Sequence, residues 1–134
     1  MNEAAMTESL DERGLLADAR NPGVYALALS VPSALDAVRR DWDREHDHRP
    51  PDDALARLAS ADRVAYVGAS SDVYGRLCNH AAGDVRTATI CEAFPPERVV
   101  DVWPHLDPFT AERNRALRLA REGWRVWCDG VVLG

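Results

Sequence analysis

The order of segments along this chain predicts a small α/β or α+β domain built on a central sheet. Short runs rich in β-branched, aromatic and other apolar residues recur at 24–31, 63–68, 98–103 and 124–128, as buried strands do. Between them lie stretches that open on good helix caps and keep one apolar face. The 134 residues suffice for one domain with a core of its own.

Residues 1 to 20 are polar, with one short apolar patch at Leu10, Leu15 and Leu16. They are expected to form a flexible N-terminal tail carrying at most a marginal helix, ahead of one folded domain over 21–134. The run 24–31 is bounded by Pro22-Gly23 and by Pro32, which marks the first strand. Ser33 is placed to cap a helix that presents Leu35, Val38 and Trp42 on one face and stops at Pro50-Pro51. A second short helix over 53–59 leads into the strand at 63–68.

Asp72 is a good N-cap for the next helix, which Gly83 should close. Arg76 and His80, four apart, share one face of it. Asp84 is read as the cap of a further helix running to about residue 93, before Pro95-Pro96. The third strand, 98–103, ends at Pro104. Thr110 is read as the cap of a helix that opens with Glu112, has apolar residues at Ala116, Leu117, Leu119 and Ala120, and ends at Gly123. The final strand at 124–128 is expected at a sheet edge.

Composition narrows the function classes. No apolar run reaches the length needed to span a bilayer, and residues 1–3 lack a basic leader pattern. A cytoplasmic protein with no membrane association is therefore expected. Cys78, Cys91 and Cys128 are odd in number and widely spaced, which suggests neither a disulfide framework nor a CxxC zinc site but buried thiols. The net charge of −6 and pI near 5.1 oppose general attraction to phosphate. All 16 basic residues are arginine, as codon bias in a GC-rich genome would produce. An acid-rich, lysine-free surface is also what a salty cytoplasm favours, because salt screens carboxylate repulsion.

Two triplets carry the chemistry: Gly23-Val24-Tyr25 on the first strand and Tyr66-Val67-Gly68 on the second. They are followed in order by Arg76, His80 and Glu112. This set resembles the active-site framework of the GIY-YIG nucleases, over residues 23 to about 129. The resemblance implies a three-stranded antiparallel sheet flanked by helices, here with a helical insertion at about 33–61 between the first two strands. It implies a metal-dependent endonuclease that cuts DNA by attack of water on a phosphodiester. Glu112 would hold Mg²⁺ or Mn²⁺, Arg76 would grip the phosphate, and Tyr25 would activate or orient water. Tyr66 would hydrogen-bond the phosphate, and His80 would relay a proton. The sequence departs from the family's pattern at Ala69, where a polar residue is usual, and at Cys128-Asp129-Gly130, near the place of a late Asn.

Each role matches the residue's own chemistry. A guanidinium offers a planar fork to phosphate, and Mg²⁺ is commonly held by one or two carboxylates with phosphate oxygens completing its shell. A tyrosine, with its ordinary pKa near 10, serves as a base only beside a cation that stabilises phenolate. Plain structural roles stand beside these: Arg76 paired with Asp72, Glu112 in a favourable first helical turn, and strand tyrosines with only their hydroxyls at the surface. His46 and His48 lie in a Pro-bounded linker. Arg113, Arg115, Arg118 and Arg121 form either a stripe that tracks a phosphate backbone or a solvated face. The alternative function is a nuclease-fold nucleic-acid-binding or regulatory module that does not cleave. With no second domain to confer specificity, a homodimer or a specificity-conferring protein partner is expected.

Overall fold

The computed structural model describes residues 2–33, 36, 52–83 and 89–134. Their elements are α1 (Glu3–Glu12), α2 (Leu16–Ala19), β1 (Gly23–Leu29), α3 (Asp52–Ala59), β2 (Val64–Ser70) and α4 (Val73–Ala82). Then come α5 (Thr89–Ala93), β3 (Pro96–Pro104), α6 (Pro108–Arg121), β4 (Arg125–Cys128) and β5 (Val131–Leu133). The helix expected from Ser33, most of the insertion, and the cap at Asp84 lie outside the described residues. No described helix is long and apolar enough to cross a membrane.

The sheet has five strands in the order β3-β1-β2-β4-β5. β1 pairs antiparallel with both β2 and β3, whereas β4 runs parallel to β2 and β5 turns back antiparallel to β4. The expected three-stranded antiparallel sheet is thus corrected: that trio exists, but it is the left part of a larger mixed sheet. The family membership inferred from the two triplets is overturned with it. The physical reason lies in α6, which packs across the sheet and returns the chain beside β2 in the same direction. A helical crossover of this kind is what parallel pairing requires.

Asp129 and Gly130 have φ of 48° and 77° and join β4 to β5. An Asp-Gly pair with both residues in the left-handed region is the favoured two-residue hairpin turn. The last expected strand is therefore internal, and β5 forms the edge. Asp129 is a turn residue first, whatever else it does.

Both faces of the sheet are covered. All seven residues of β1 are buried, as its place between β3 and β2 and between two layers of helix dictates. Tyr25, Leu27 and Leu29 join Met6, Leu10, Leu55, Leu58, Leu77 and Phe94 in one core. Val24, Ala26 and Ala28 join Ala116, Leu119, Trp124 and Val126 in the other. The small side chains of β1 on that second face allow α6 to lie close.

The segment expected to be a tail is part of the first core. Asn2 caps α1 by accepting the Ala5 N–H at 2.8 Å, and Met6 and Leu10, one turn apart, are fully buried. Thr7 Oγ1 and the Tyr74 hydroxyl, 2.9 Å apart, tie α1 to α4. The expected start of the last helix also shifts. Asp107 occupies the cap position and Pro108 the first turn, where its missing N–H costs nothing, while Thr110 Oγ1 donates to the Asp107 carbonyl at 2.9 Å. Glu112 therefore lies in the second turn, beyond the strongest part of the helix dipole.

Candidate functional site

The site begins with a close approach. Tyr25 on β1 pairs across the sheet with Gly68 on β2, and its ring lies over that glycine. A Cβ at Gly68 would sit 2.5 Å from the Tyr25 hydroxyl oxygen, 2.6 Å from Cζ and 3.0 Å from Tyr66 Cε1. The glycine of the second triplet is thus a spacer that lets two tyrosines share one face. Tyr66, opposite Leu27, is the diagonal neighbour of Tyr25, with ring centroids 6.0 Å apart.

α4 supplies the other groups. Asp72 accepts the Gly75 N–H at 3.1 Å, and Gly83 ends the helix in the left-handed conformation, with φ 66°. Both ends of this helix agree with the sequence reading. Starting just after β2, α4 lays Arg76 and then His80 over the tyrosines. His80 is 3% exposed, and its Nε2 lies 2.8 Å from the Tyr25 hydroxyl. Its ring stands edge-on to Tyr66 at 5.4 Å between centroids. Arg76 and Tyr66 are half-buried, whereas Tyr25 and His80 lie behind them.

The electrostatics follow from burial. Loss of water, and secondarily the Arg76 charge, lowers the His80 pKa to about 4, so the imidazole is neutral near pH 7. Burial and the neighbouring phenol push Tyr25 well above its ordinary value. Burial pushes Tyr66 up to about 12. Arg76 opposes both phenol shifts but does not overcome desolvation. Desolvation thus outweighs the Arg76 charge at both tyrosines and favours their phenol form. The base-like group is the neutral imidazole, and in the short Tyr25–His80 contact the tautomer decides whether the hydroxyl or Nε2 donates the hydrogen bond.

Cys91 on α5 also belongs to this neighbourhood and was not anticipated. Burial raises its thiol to about 12, while Arg76 lowers it slightly, so it is a neutral core side chain.

Glu112 occupies a different place. It lies on α6, one turn before Ala116, in the layer on the other face of the sheet. Its Oε1 accepts from Cys128 Sγ at 3.7 Å. Burial raises its pKa, with Asp129 adding to the shift and Cys128 and Arg113 opposing it. Its charge reaches Tyr66 weakly, as the last of the influences on that phenol. The structure thus gathers Tyr25, Tyr66, Arg76 and His80 into one cluster and leaves Glu112 beside it rather than in it.

Among the described residues no three His, Cys, Asp or Glu side chains group as a metal-binding set. Glu112, with the Asp129 charge reaching it, is the carboxylate that could supply part of a shell for Mg²⁺ or Mn²⁺, which are commonly held by one or two carboxylates. No family model matches the chain, and no curated protein or solved structure matches it.

Proposed function

We propose that this chain hydrolyses phosphodiester bonds of DNA with the help of a divalent metal ion. The observation that carries the reading is the 2.8 Å contact between the Tyr25 hydroxyl and His80 Nε2, set directly behind Tyr66 and Arg76. Arg76 is the group suited to hold the non-bridging phosphate oxygens, and its permanent charge offsets charge that builds up in the transition state. Tyr66, kept as a phenol, donates a hydrogen bond to phosphate or to attacking water. Tyr25 and His80 orient that water and accept its proton through their shared contact. Glu112 would hold the Mg²⁺ or Mn²⁺, which supplies Lewis-acid polarisation of a phosphate oxygen.

The position of Glu112 supports a second reading, a nucleic-acid-binding or regulatory module that does not cleave, because Glu112 is carried by the helix on the other sheet face and lies outside the cluster that holds Arg76. Incubation with supercoiled and branched DNA and with RNA, with Mg²⁺ or Mn²⁺ and across low to molar KCl, separates the two. Under the first reading the native chain nicks DNA, and EDTA, Glu112→Ala and Arg76→Lys each abolish most of the nicking. The lysine variant fails because a point ammonium does not reproduce the guanidinium fork. Binding without nicking by the folded chain under all these conditions selects the second.

A further inference from the structure

We infer that the groove between β3 and α6, on the sheet face opposite the tyrosines, is a binding site for the phosphate backbone of a single nucleic-acid strand. The groove encloses about 410 Å³ and is lined by Arg13, Arg115, Arg118, Trp103, Asp101 and Glu122, among others. Arg13 and Arg118 are exposed. Arg115 is held by stacking, with its guanidinium carbon 5.1 Å from the centre of the Trp103 ring, within the range of a cation–π contact. None of the three forms an ion pair with a described residue.

Three guanidinium groups and two carboxylates line the groove, so these charged side chains leave it net positive, which favours an anion. Of the two carboxylates, one has a partner of its own in the strand. Asp101 Oδ1 accepts the Val102 N–H at 2.8 Å, and Glu122 stands at the C-terminal end of α6. Arg115 and Arg118, three apart on α6, and Arg13, which follows α1, bring their forks to the groove from two separate elements. Forks contributed from two elements match the successive phosphates of a polymer better than one compact anion. Trp103, half-buried at the same groove, fixes the Arg115 fork by stacking and so holds it in place for a phosphate. The choice of a nucleic acid rests on the proposed function, yet the groove binds whether or not the tyrosine cluster cleaves.

Fluorescence anisotropy of a labelled oligothymidylate, with the full chain in EDTA and over a range of KCl, tests this without cleavage. Arg118→Gln is expected to weaken binding several-fold and to reduce the slope of log affinity against log salt by about 0.7, the release expected for one phosphate on a single strand. Arg115→Gln with Arg118→Gln should weaken it about tenfold and reduce the slope by about 1.4. Arg121→Gln, exposed on the same helix but outside the groove, should change affinity by less than about twofold. Circular dichroism establishes that each variant is folded. Equal losses for Arg118→Gln and Arg121→Gln would overturn the inference. So would unchanged binding by the double variant, or displacement of the oligonucleotide by inorganic phosphate at matched phosphate concentration. Retained binding with no nicking in the earlier assay removes the cleavage reading and leaves this one standing.

Discussion

The hydroxyl of Tyr25 lies 2.8 Å from Nε2 of His80, although 55 positions separate them in the chain. One residue comes from an interior strand of the sheet and the other from the last turn of a helix laid across it. Both are almost wholly buried, at 1% and 3% exposure. The contact therefore joins two core side chains that each carry a polar atom away from water.

Tyr25→Phe removes that contact while preserving the ring's volume. A buried polar atom deprived of a hydrogen bond costs about 1–3 kcal/mol, and a loss of this size is expected in urea denaturation. An unchanged midpoint would show that the contact contributes nothing to stability.

Acid should weaken the fold through His80. Its proton binds at about 4 in the folded chain, against an ordinary value of 6.5. Between those values the unfolded chain binds more protons, so stability rises with pH across the window. The contribution is complete above the upper value and lost below the lower, and it is on the order of 3 kcal/mol. Glu112, shifted up by burial, acts in the opposite sense: its contribution is present below the ordinary carboxylate pKa and fades as pH rises. It is half-exposed and therefore the smaller effect. Denaturation midpoints that do not fall as pH is lowered through this window would contradict the neutral, buried imidazole.

Gly68→Ala should damage the site before it damages the sheet. The new methyl group would have to displace the Tyr25 ring, which has core residues behind it. Overpacking of this kind costs about 1–3 kcal/mol, and the ring's shift should also break its contact with His80. The Tyr25→Phe and Gly68→Ala effects should then fall short of additive in the double variant. Full additivity would place the glycine's role elsewhere.

Removing the first helix should unfold the chain rather than trim it. Met6→Ala or Leu10→Ala empties a fully buried position and should cost about 2–5 kcal/mol. Thermal melting of the two variants decides this, since a true tail would leave the melting temperature unmoved.

Much of the tyrosine cluster could be read from residue order. The caps at Asp72 and Gly83 define α4, and four-residue spacing places Arg76 and His80 together on it. Glu112 is where that logic fails. Spacing along a helix tells which residues share its face, but not which side of the sheet the helix covers. Ala116 and Leu119 turn α6 onto the second face, and Glu112 goes with them. β5 was missed because Asp129-Gly130 was weighed as part of a motif rather than as a hairpin turn. Met6 was missed because Ala4-Ala5-Met6 is too short an apolar run to mark a buried helix; only its pairing with Leu10 one turn later carries the signal.

The central placement of β1 sets where movement can come from. Its amides are hydrogen-bonded to strands on both sides and shielded by helices above and below, so they belong to the part of the molecule that opens last, close to the free energy of global unfolding. Amide deuterium uptake at Tyr25 should accordingly be among the slowest in the chain. A strand with that protection cannot breathe to admit a ligand. Under the proposed function a ligand would reach the buried hydroxyl and imidazole from the side of α4, where Arg76 and Tyr74 are half-buried, with the strand as a fixed floor.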